Sequence, residues 1–254
     1  MPGPVDVLRH HDADDLAQAA AARLVTTIIE RQASDGTASV ALTGGGIGTA
    51  VLTALAQSPA RDAIDWKRLD VWWGDERFVA SGSPDRNETG ARAALLDLVP
   101  VDPARVHPFA SPEQCGGDVD VCASRYADEL RAWGGDAPCI DVTLLGIGPD
   151  AHVASLFPEM PALHDDRLAC AVRGAPKPPP VRTTLTMGTL RSSREVWILA
   201  AGAEKAAAVR LALSPGAGPL QVPAAGARGR LRTLVLVDEA AASDLPADFG
   251  RVEA

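Results

Sequence analysis

Residues 141–158 read DVTLLGIGPDAHVASLFP, and the fold of the chain is best understood outward from this stretch. The apolar run Val142–Leu145 predicts a buried strand that ends in a turn containing glycine and proline. The turn presents Asp150 and His152 before a second apolar segment begins. In open α/β folds the carboxyl edge of the sheet is where ligands bind, so this pattern predicts a site there.

His152 is the residue of this stretch best suited to proton transfer, because imidazole titrates near neutral pH. Asp150, two residues earlier, could fix the tautomer of the ring or raise its basicity. A histidine after a strand is also commonly a loop residue with a satisfied hydrogen bond. The rest of the chain has to decide between these interpretations.

Apolar runs alternate with Ala-rich amphipathic stretches, which predicts an α/β fold with a largely parallel sheet. The predicted helices are Asp12–Arg31, with Asp12 or Asp14 as its cap, Ile47–Ala56, Asn87–Leu96, Val119–Trp133 and Ala203–Leu213. One strand is expected before the first helix, and the others are Ala38–Leu42, Leu69–Trp73, Val142–Leu145, Glu195–Ala200 and Leu234–Val237. The Pro-rich piece Ala175–Pro180 is interpreted as a surface loop rather than a domain linker.

Composition limits the class of protein. The 254 residues are 46% hydrophobic but only 4% aromatic, so the core must be mostly Ala, Val and Leu. A net charge of −9 argues against a general nucleic-acid or anionic-membrane surface, although one small anion pocket is compatible with it. We see neither a membrane-spanning run nor a secretory signal, and therefore expect a cytoplasmic protein.

The four cysteines form no CxxC pair, so zinc and redox sites are weakly supported. We expect reduced thiols at Cys115, Cys122, Cys139 and Cys170.

A glycine-rich turn, TGGGIG over residues 43–48, follows the predicted strand Ala38–Leu42. Glycines allow backbone N–H groups to converge on an anion, and the following helix N-terminus adds partial positive charge, which suits a phosphate. The turn lacks the Lys-Ser/Thr of a Walker loop and the glycine spacing of a dinucleotide fingerprint. A tight turn without a ligand is the simpler alternative.

Three charged residues, Asp75 to Arg77, directly follow the predicted strand Leu69–Trp73. Charges at such a position are costly unless they are solvated or paired. They could form a solvated loop or a salt-bridged corner, or Arg77 could serve a phosphate or a developing oxyanion. The following SPDRNE, residues 83–88, predicts a turn and a helix cap.

Four cations could form a positive pocket within this acidic chain. Arg173, Lys177 and Arg182 surround the Pro-rich loop, and Lys205 follows the strand Glu195–Ala200. Each could equally be a solvated surface charge. Together they fit a small phosphorylated ligand better than a polymer.

Taken in order, these segments resemble the 6-phosphogluconolactonase family, and its actinobacterial members most. Between residues 41 and 227 the resemblance is carried by LTGGG, WWGDERFV, SPDRNETGARAALL, LLGIGPDAHVASLFP, PKPPPVRTTLT, EVWILAAGAEKA and VPAAGA. It implies one three-layer α/β/α, Rossmann-like domain over residues 1–254, related to glucosamine-6-phosphate deaminases and ribose-5-phosphate isomerases. It also implies hydrolysis of 6-phospho-D-glucono-1,5-lactone in the pentose phosphate pathway without a metal or organic cofactor. The expected partner is this sugar-phosphate lactone, and we expect a monomer that binds neither nucleic acid nor membrane.

The resemblance also implies roles for individual residues. His152 would activate water as general base, and Asp150 would orient it or support it electrostatically. Arg77 would stabilise developing negative charge or bind a substrate oxygen. Substrate, chiefly its phosphate, would be bound by Thr43, Gly44, Gly45, Gly46, Asp75, Arg173, Lys177, Arg182 and Lys205. Two departures stand out: Ala151 replaces a glycine common in the family, and TGGG replaces an SGGST-type loop, which leaves Thr43 as the candidate hydroxyl.

Other functions are compatible with the same fold. An amino-sugar phosphate deaminase would carry a Glu in an AFNEP-like stretch, where residues 154–158 here read ASLFP. A non-catalytic sugar-phosphate sensor usually accompanies a DNA-binding helix-turn-helix, and no basic recognition helix is visible before LTGGG. The glycine loop argues against an NAD-dependent enzyme.

Overall fold

The computed structural model describes residues 2–246, 249 and 251–252. Its strands are β1 (Val5–His10), β2 (Ala38–Leu42), β3 (Leu69–Trp73), β4 (Asp75–Arg77), β5 (Val142–Gly146), β6 (Ala169–Val172), β7 (Arg182–Leu185), β8 (Glu195–Ala200), β9 (Arg232–Asp238) and β10 (Arg251–Val252). Its α-helices are α1 (Ala13–Asp35), α2 (Gly45–Gln57), α3 (Asn87–Ala94), α4 (Val119–Gly134), α5 (Met187–Ser192), α6 (Ala206–Leu213) and α7 (Pro223–Gly226).

Seven parallel strands form the central sheet in the order β10-β1-β9-β8-β5-β2-β3. Helices flank this sheet, which confirms the predicted α/β architecture with a mostly parallel sheet. Over the residues described above, no helix is long and apolar enough to cross a bilayer.

The strands of the sheet interior are recognisable because both of their faces are buried. Every residue of β2 and β3 is buried, so each reads as a short, nearly continuous apolar run, and both predicted ranges are correct. Helix α1 begins where predicted, because the Asp12 carboxylate accepts the N–H groups of Asp14 and Asp15 at 3.0 and 2.9 Å. It continues past the predicted end to Gly36, whose φ of 81° closes the helix.

Helix α2 begins two residues before the predicted Ile47, since glycines in its first turn carry no apolar periodicity. The predicted helix Ala203–Leu213 is a 3₁₀ turn at Ala203–Lys205 followed by α6. These differences lie at helix ends, where the apolar pattern is weakest.

A second, antiparallel sheet in the order β4-β7-β6 was not predicted. Its strands are only three or four residues long, and β4 is entirely charged, so none shows a strand pattern. The chain leaves the main sheet at Gly74, whose N–H donates to Leu42 O while its carbonyl accepts from Leu185 N. The Pro-rich piece joins β6 to β7 as a largely exposed loop, as expected.

The few aromatic side chains are concentrated between β3 and α4. Trp72 stacks on His107 with ring centroids 3.9 Å apart, and Phe109 stacks on Tyr126 at 3.6 Å. The Tyr126 hydroxyl accepts the backbone N–H of Trp73 at 2.8 Å, which fastens α4 to the strand. Elsewhere the core consists mainly of the predicted small aliphatic side chains.

The prediction that all cysteines are reduced is wrong for one pair. Cys115 and Cys122 form a disulfide, whereas Cys139 and Cys170 are free. A 3₁₀ turn ending at Cys115 leads directly into α4 and brings the two Cα atoms to 5.6 Å, within bridging range. Sequence spacing does not reveal this approach.

The charged corner after β3 is largely a structural network around Glu76, whose side chain is buried. Its carboxylate accepts the backbone N–H groups of Asn87 and Glu88 at 2.6 and 2.9 Å and therefore caps α3. Arg86 lies 3.7 Å away. The SPDRNE segment turns as predicted, but the predicted cap comes from Glu76 rather than from within the segment, because Arg86 occupies the N-cap position.

We predict that Glu76→Ala destabilises the protein by at least about 3 kcal/mol, since it uncaps α3 and removes a partner from a buried arginine. Denaturant unfolding measures this change. The control is Asp62→Ala, whose side chain is 84% exposed and whose effect should stay within about 0.5 kcal/mol. Equal effects of the two substitutions would contradict the network described for Glu76.

Candidate active site

The site lies between the carboxyl ends of β2 and β5. From β2 the chain continues to β3 on one side, whereas β5 is followed in the central sheet by β8 on the other. Such a reversal opens a crevice at the carboxyl edge of the sheet. The two strand ends are joined by Thr43 Oγ1, which accepts the Gly146 N–H at 3.3 Å. Thr43, predicted to contact phosphate, is buried and serves this link.

The turn after β5 is held by three backbone hydrogen bonds. Ala151 N donates to Gly148 O and Gly148 N donates to His152 O, both at 2.9 Å, while Ala224 N of α7 donates to Ala151 O at 3.0 Å. Ala151 has φ = 63°, so the position at which the resemblance implied a glycine is left-handed here. A Cβ on Gly148 would overlap the imidazole of His152. The turn therefore fixes where His152 sits.

Asp150 and His152 form a tight pair at this turn. His152 Nδ1 lies 2.5 Å from Asp150 Oδ1, and the side chains are 15% and 37% exposed, respectively. Because a carboxylate only accepts hydrogen bonds, Nδ1 carries the proton and Nε2 is left as the basic atom. The imidazole ring also packs against Phe157, with ring centroids 4.4 Å apart.

Burial lowers the pKa of His152, and the nearby charge of Lys177 lowers it further, while the hydrogen bond and charge of Asp150 oppose the shift. Burial also disfavours the Asp150 carboxylate, but the hydrogen bond and charge of His152 outweigh it and lower the Asp150 pKa. Near neutral pH the pair therefore holds a neutral imidazole beside a carboxylate. This is the protonation state that a general base requires.

The N-terminus of α2 faces solvent beside this pair. Gly44 occupies the N-cap position without a side-chain cap, and Gly45 and Gly46 are exposed, so the first N–H groups of the helix are available to an anion. A Cβ on Gly44 would overlap the amide of Asn87, so only glycine fits.

Two lysines add positive charge at this edge. Lys205 follows β8 at the start of α6 and is partly buried. Burial lowers its pKa, and so does the charge of Lys177 on the Pro-rich loop, whereas Asp150 raises it. The loop that carries Lys177 reaches the dyad through Arg182, whose Nη2 donates to Lys177 O at 2.9 Å and whose guanidinium carbon lies 5.6 Å from the Phe157 ring packed on His152.

Asp75 is buried and fixed by two residues that the sequence analysis missed. Ser155 Oγ donates to Asp75 Oδ2 at 2.6 Å, and Asn87 Nδ2 donates to Oδ1 at 3.2 Å. Both are polar side chains at otherwise packed positions, which was the available signal. Arg77 is partly exposed at the end of β4, where its Nη1 donates to Asp85 O at 2.7 Å.

The two remaining predicted cations differ. Arg173 is exposed and paired with Asp120 of α4 at 2.6 Å, so the structure does not bring it to the dyad. Arg182 is buried, and its guanidinium donates to backbone carbonyls of the Pro-rich loop. Among the described residues, one group has the spacing to hold a metal ion: His11, Asp12 and Asp15. These side chains are exposed at the start of α1, and Asp12 already caps that helix.

We predict that Asp150→Asn lowers the pKa of His152 further, because it removes the charge that opposes the effect of burial. The base is active when neutral, so activity rises with pH through the His152 pKa, and this acidic limb should move to lower pH. The maximal rate should fall about ten-fold or more as the imidazole loses its orienting partner. A pH–rate profile measures both effects, with Asp165→Asn as the control carboxylate. If the acidic limb of the profile stayed in place or moved to higher pH, Asp150 would not be the group that raises the pKa of His152.

We predict that Ala151→Gly leaves stability unchanged or raises it by up to about 1 kcal/mol, because relief of the left-handed strain offsets the loss of one buried methyl group and the added backbone entropy of the unfolded chain. Ala22→Gly, the same change on the exposed side of α1, should instead cost about 1 kcal/mol. Denaturant midpoints of the two variants give the comparison. A loss at Ala151 as large as that at Ala22 would show that the turn is not strained.

Comparisons with known proteins identify the family of the chain. Residues 11–236 match the family model described as glucosamine-6-phosphate isomerases/6-phosphogluconolactonase. The chain is 57% identical over 244 residues to a 6-phosphogluconolactonase of Streptomyces coelicolor, covering 93% of each chain. It is 46% identical over 240 residues to one of Mycobacterium tuberculosis, covering 92% of this chain and 96% of that one. A solved 6-phosphogluconolactonase of Trypanosoma brucei superposes with a TM-score of 0.82 at 27% identity, over 96% of this chain and all of the other. The chain therefore belongs to the glucosamine-6-phosphate isomerase/6-phosphogluconolactonase family.

Proposed function

We propose that this protein hydrolyses 6-phospho-D-glucono-1,5-lactone to 6-phospho-D-gluconate, the lactonase step of the oxidative pentose phosphate pathway. The observation that carries the proposal is the neutral, oriented His152 beside an uncapped helix N-terminus and two lysines. His152 would supply the base, and the helix N-terminus together with the two lysines would bind the phosphate. The name carried by the Streptomyces coelicolor relative supports the same activity.

In the proposed reaction, His152 Nε2 removes a proton from water as the oxygen attacks the lactone carbonyl. The imidazolium then returns the proton to the ring oxygen as the bond from the carbonyl carbon to that oxygen breaks. Asp150 keeps Nδ1 protonated and stabilises the transient imidazolium. A lactone is an activated ester, so general base catalysis, which contributes about 10²–10⁴-fold, needs no covalent nucleophile.

The phosphate would bind at the N–H groups of Gly44–Gly46, with Lys177 and Lys205 neutralising its charge. Arg77 would stabilise negative charge that develops on the substrate during attack. Asp75, held by Ser155 and Asn87, would accept a hydrogen bond from a substrate hydroxyl or keep the side of the site formed by these residues in place.

The alternative activity, deamination of an amino-sugar phosphate, is less well supported. The stretch that would carry its Glu reads ASLFP here, and Phe157 packs directly on the imidazole of His152. An apolar ring at that place supplies no second acid for ring opening and isomerisation. Deamination of glucosamine 6-phosphate by the purified protein would reverse this preference.

The test is hydrolysis of freshly generated 6-phosphogluconolactone, with 6-phosphogluconate dehydrogenase reporting the product as NADPH. We predict that His152→Asn lowers turnover by about 10²-fold or more and leaves affinity for 6-phosphogluconate nearly unchanged. His164→Asn, at an exposed histidine, should retain full activity. Near-normal turnover in His152→Asn would refute the role of His152 as base, and a folded wild-type protein without activity would refute the proposed function.

A further inference from the structure

The Pro-rich loop that carries Lys177 cannot hold its own shape by backbone hydrogen bonds. Pro176, Pro178, Pro179 and Pro180 have no N–H, so the loop carries carbonyl acceptors with few donors. Its base is closed by one bond, from Ala175 N to Pro180 O at 2.9 Å. Beyond the buried Ala175, the residues of the loop are mostly exposed.

Arg182 supplies the donors that this loop lacks. Its Nε donates to Pro179 O at 3.1 Å, and its Nη2 donates to Lys177 O at 2.9 Å and to Pro178 O at 3.4 Å. Arg182 is only 5% exposed, so these bonds form out of water and its guanidinium is largely committed to the backbone. Carbonyls of three consecutive residues therefore converge on one side chain.

The guanidinium is fixed on its other sides as well. Nη1 lies 4.0 Å from the buried Asp75 carboxylate. The guanidinium carbon lies 5.6 Å from the centre of the Phe157 ring, which contacts His152 in turn. Arg182 thus connects the loop to Asp75 and to Phe157, the ring that packs on the imidazole of His152.

We infer that Arg182 is a positioning residue that holds the loop carrying Lys177 beside the dyad, and that Lys177 rather than Arg182 binds the substrate phosphate. The inference rests on the proposed lactonase function and assigns a division of labour between the two cations. Arg182 Nη2 binds the Lys177 carbonyl, and the Arg182 guanidinium lies against the Phe157 ring that packs on His152, so the backbone of Lys177 is fixed near the dyad. The charge of Lys177 also lowers the pKa of both His152 and Lys205. Lysine could not replace Arg182, because a single ammonium cannot reproduce the planar fork that reaches several carbonyls.

A double-mutant cycle tests the inference. Arg182→Lys, Lys177→Ala and the combined variant are compared for affinity toward 6-phosphogluconate by calorimetry, which needs no turnover. Each single change should weaken binding about ten-fold or more, the worth of a charge-assisted bond. The double variant should bind no more than about three-fold more weakly than Lys177→Ala alone, because Arg182 acts through Lys177.

A second readout separates positioning from general loosening. Lys177→Ala should move the acidic limb of the pH–rate profile to higher pH, since the charge that lowers the His152 pKa is gone. Arg182→Lys should move it in the same direction, because Lys177 is no longer held. Arg173→Lys, in the same connection but paired with Asp120, is the matched control and should leave binding and the limb unchanged.

The inference would be overturned if the fold losses in affinity of the two single variants multiplied in the double variant, or if Arg182→Lys bound 6-phosphogluconate as tightly as the wild-type protein. A crystal structure of the wild-type protein with 6-phosphogluconate provides the test if Arg182→Lys fails to fold. We expect Arg182 to keep its bonds to the loop carbonyls while Lys177 Nζ contacts the phosphate. Phosphate oxygens bound directly to Arg182 would refute the assignment. If the wild-type protein binds 6-phosphogluconate but does not hydrolyse the lactone, the proposed function fails and the assignment of Arg182 remains testable.

Discussion

The hydrogen bond between His152 and Asp150 is the interaction around which the site is built. It spans 2.5 Å and exists only because the chain reverses within a few residues of the end of β5. Gly148 leaves room for the imidazole, and Ala151 accepts a left-handed backbone and a hydrogen bond from Ala224 of α7. The result is an imidazole whose protonation state is set by burial and by the neighbouring carboxylate.

The two buried carboxylates after β3, Asp75 and Glu76, are tolerated because each has defined partners. Glu76 caps α3 and faces Arg86, and Asp75 is held by Ser155 and Asn87. Removing one member of such a buried set leaves an uncompensated charge, which is far costlier than losing a surface ion pair. The wall of the site is therefore rigid, and the Pro-rich loop, exposed and short of donors, is the part that needs a dedicated anchor.

The sequence was sufficient for the parallel sheet, because β2 and β3 are buried on both faces and read as nearly continuous apolar runs. It was insufficient for the second sheet, whose charged strand β4 carries no strand pattern. Nor could residue type distinguish Arg173, paired with Asp120 at the surface, from Arg182, which is enclosed by loop carbonyls. That difference, like the approach of Cys115 to Cys122, is set by which elements pack together, and only three-dimensional packing reveals it.

The central claim is that His152 is a neutral base whose proton sits on Nδ1 and whose Nε2 is free. Nitrogen NMR of the imidazole across a pH titration tests it most directly, with His152→Asn identifying the signals. We predict a pKa below the ordinary value of 6.5 and a neutral tautomer protonated at Nδ1. A pKa above that value would contradict the effect ascribed to burial, and a neutral ring protonated at Nε2 would contradict the hydrogen bond from Nδ1 to Asp150, since Nε2 would then have no lone pair to accept a proton from water.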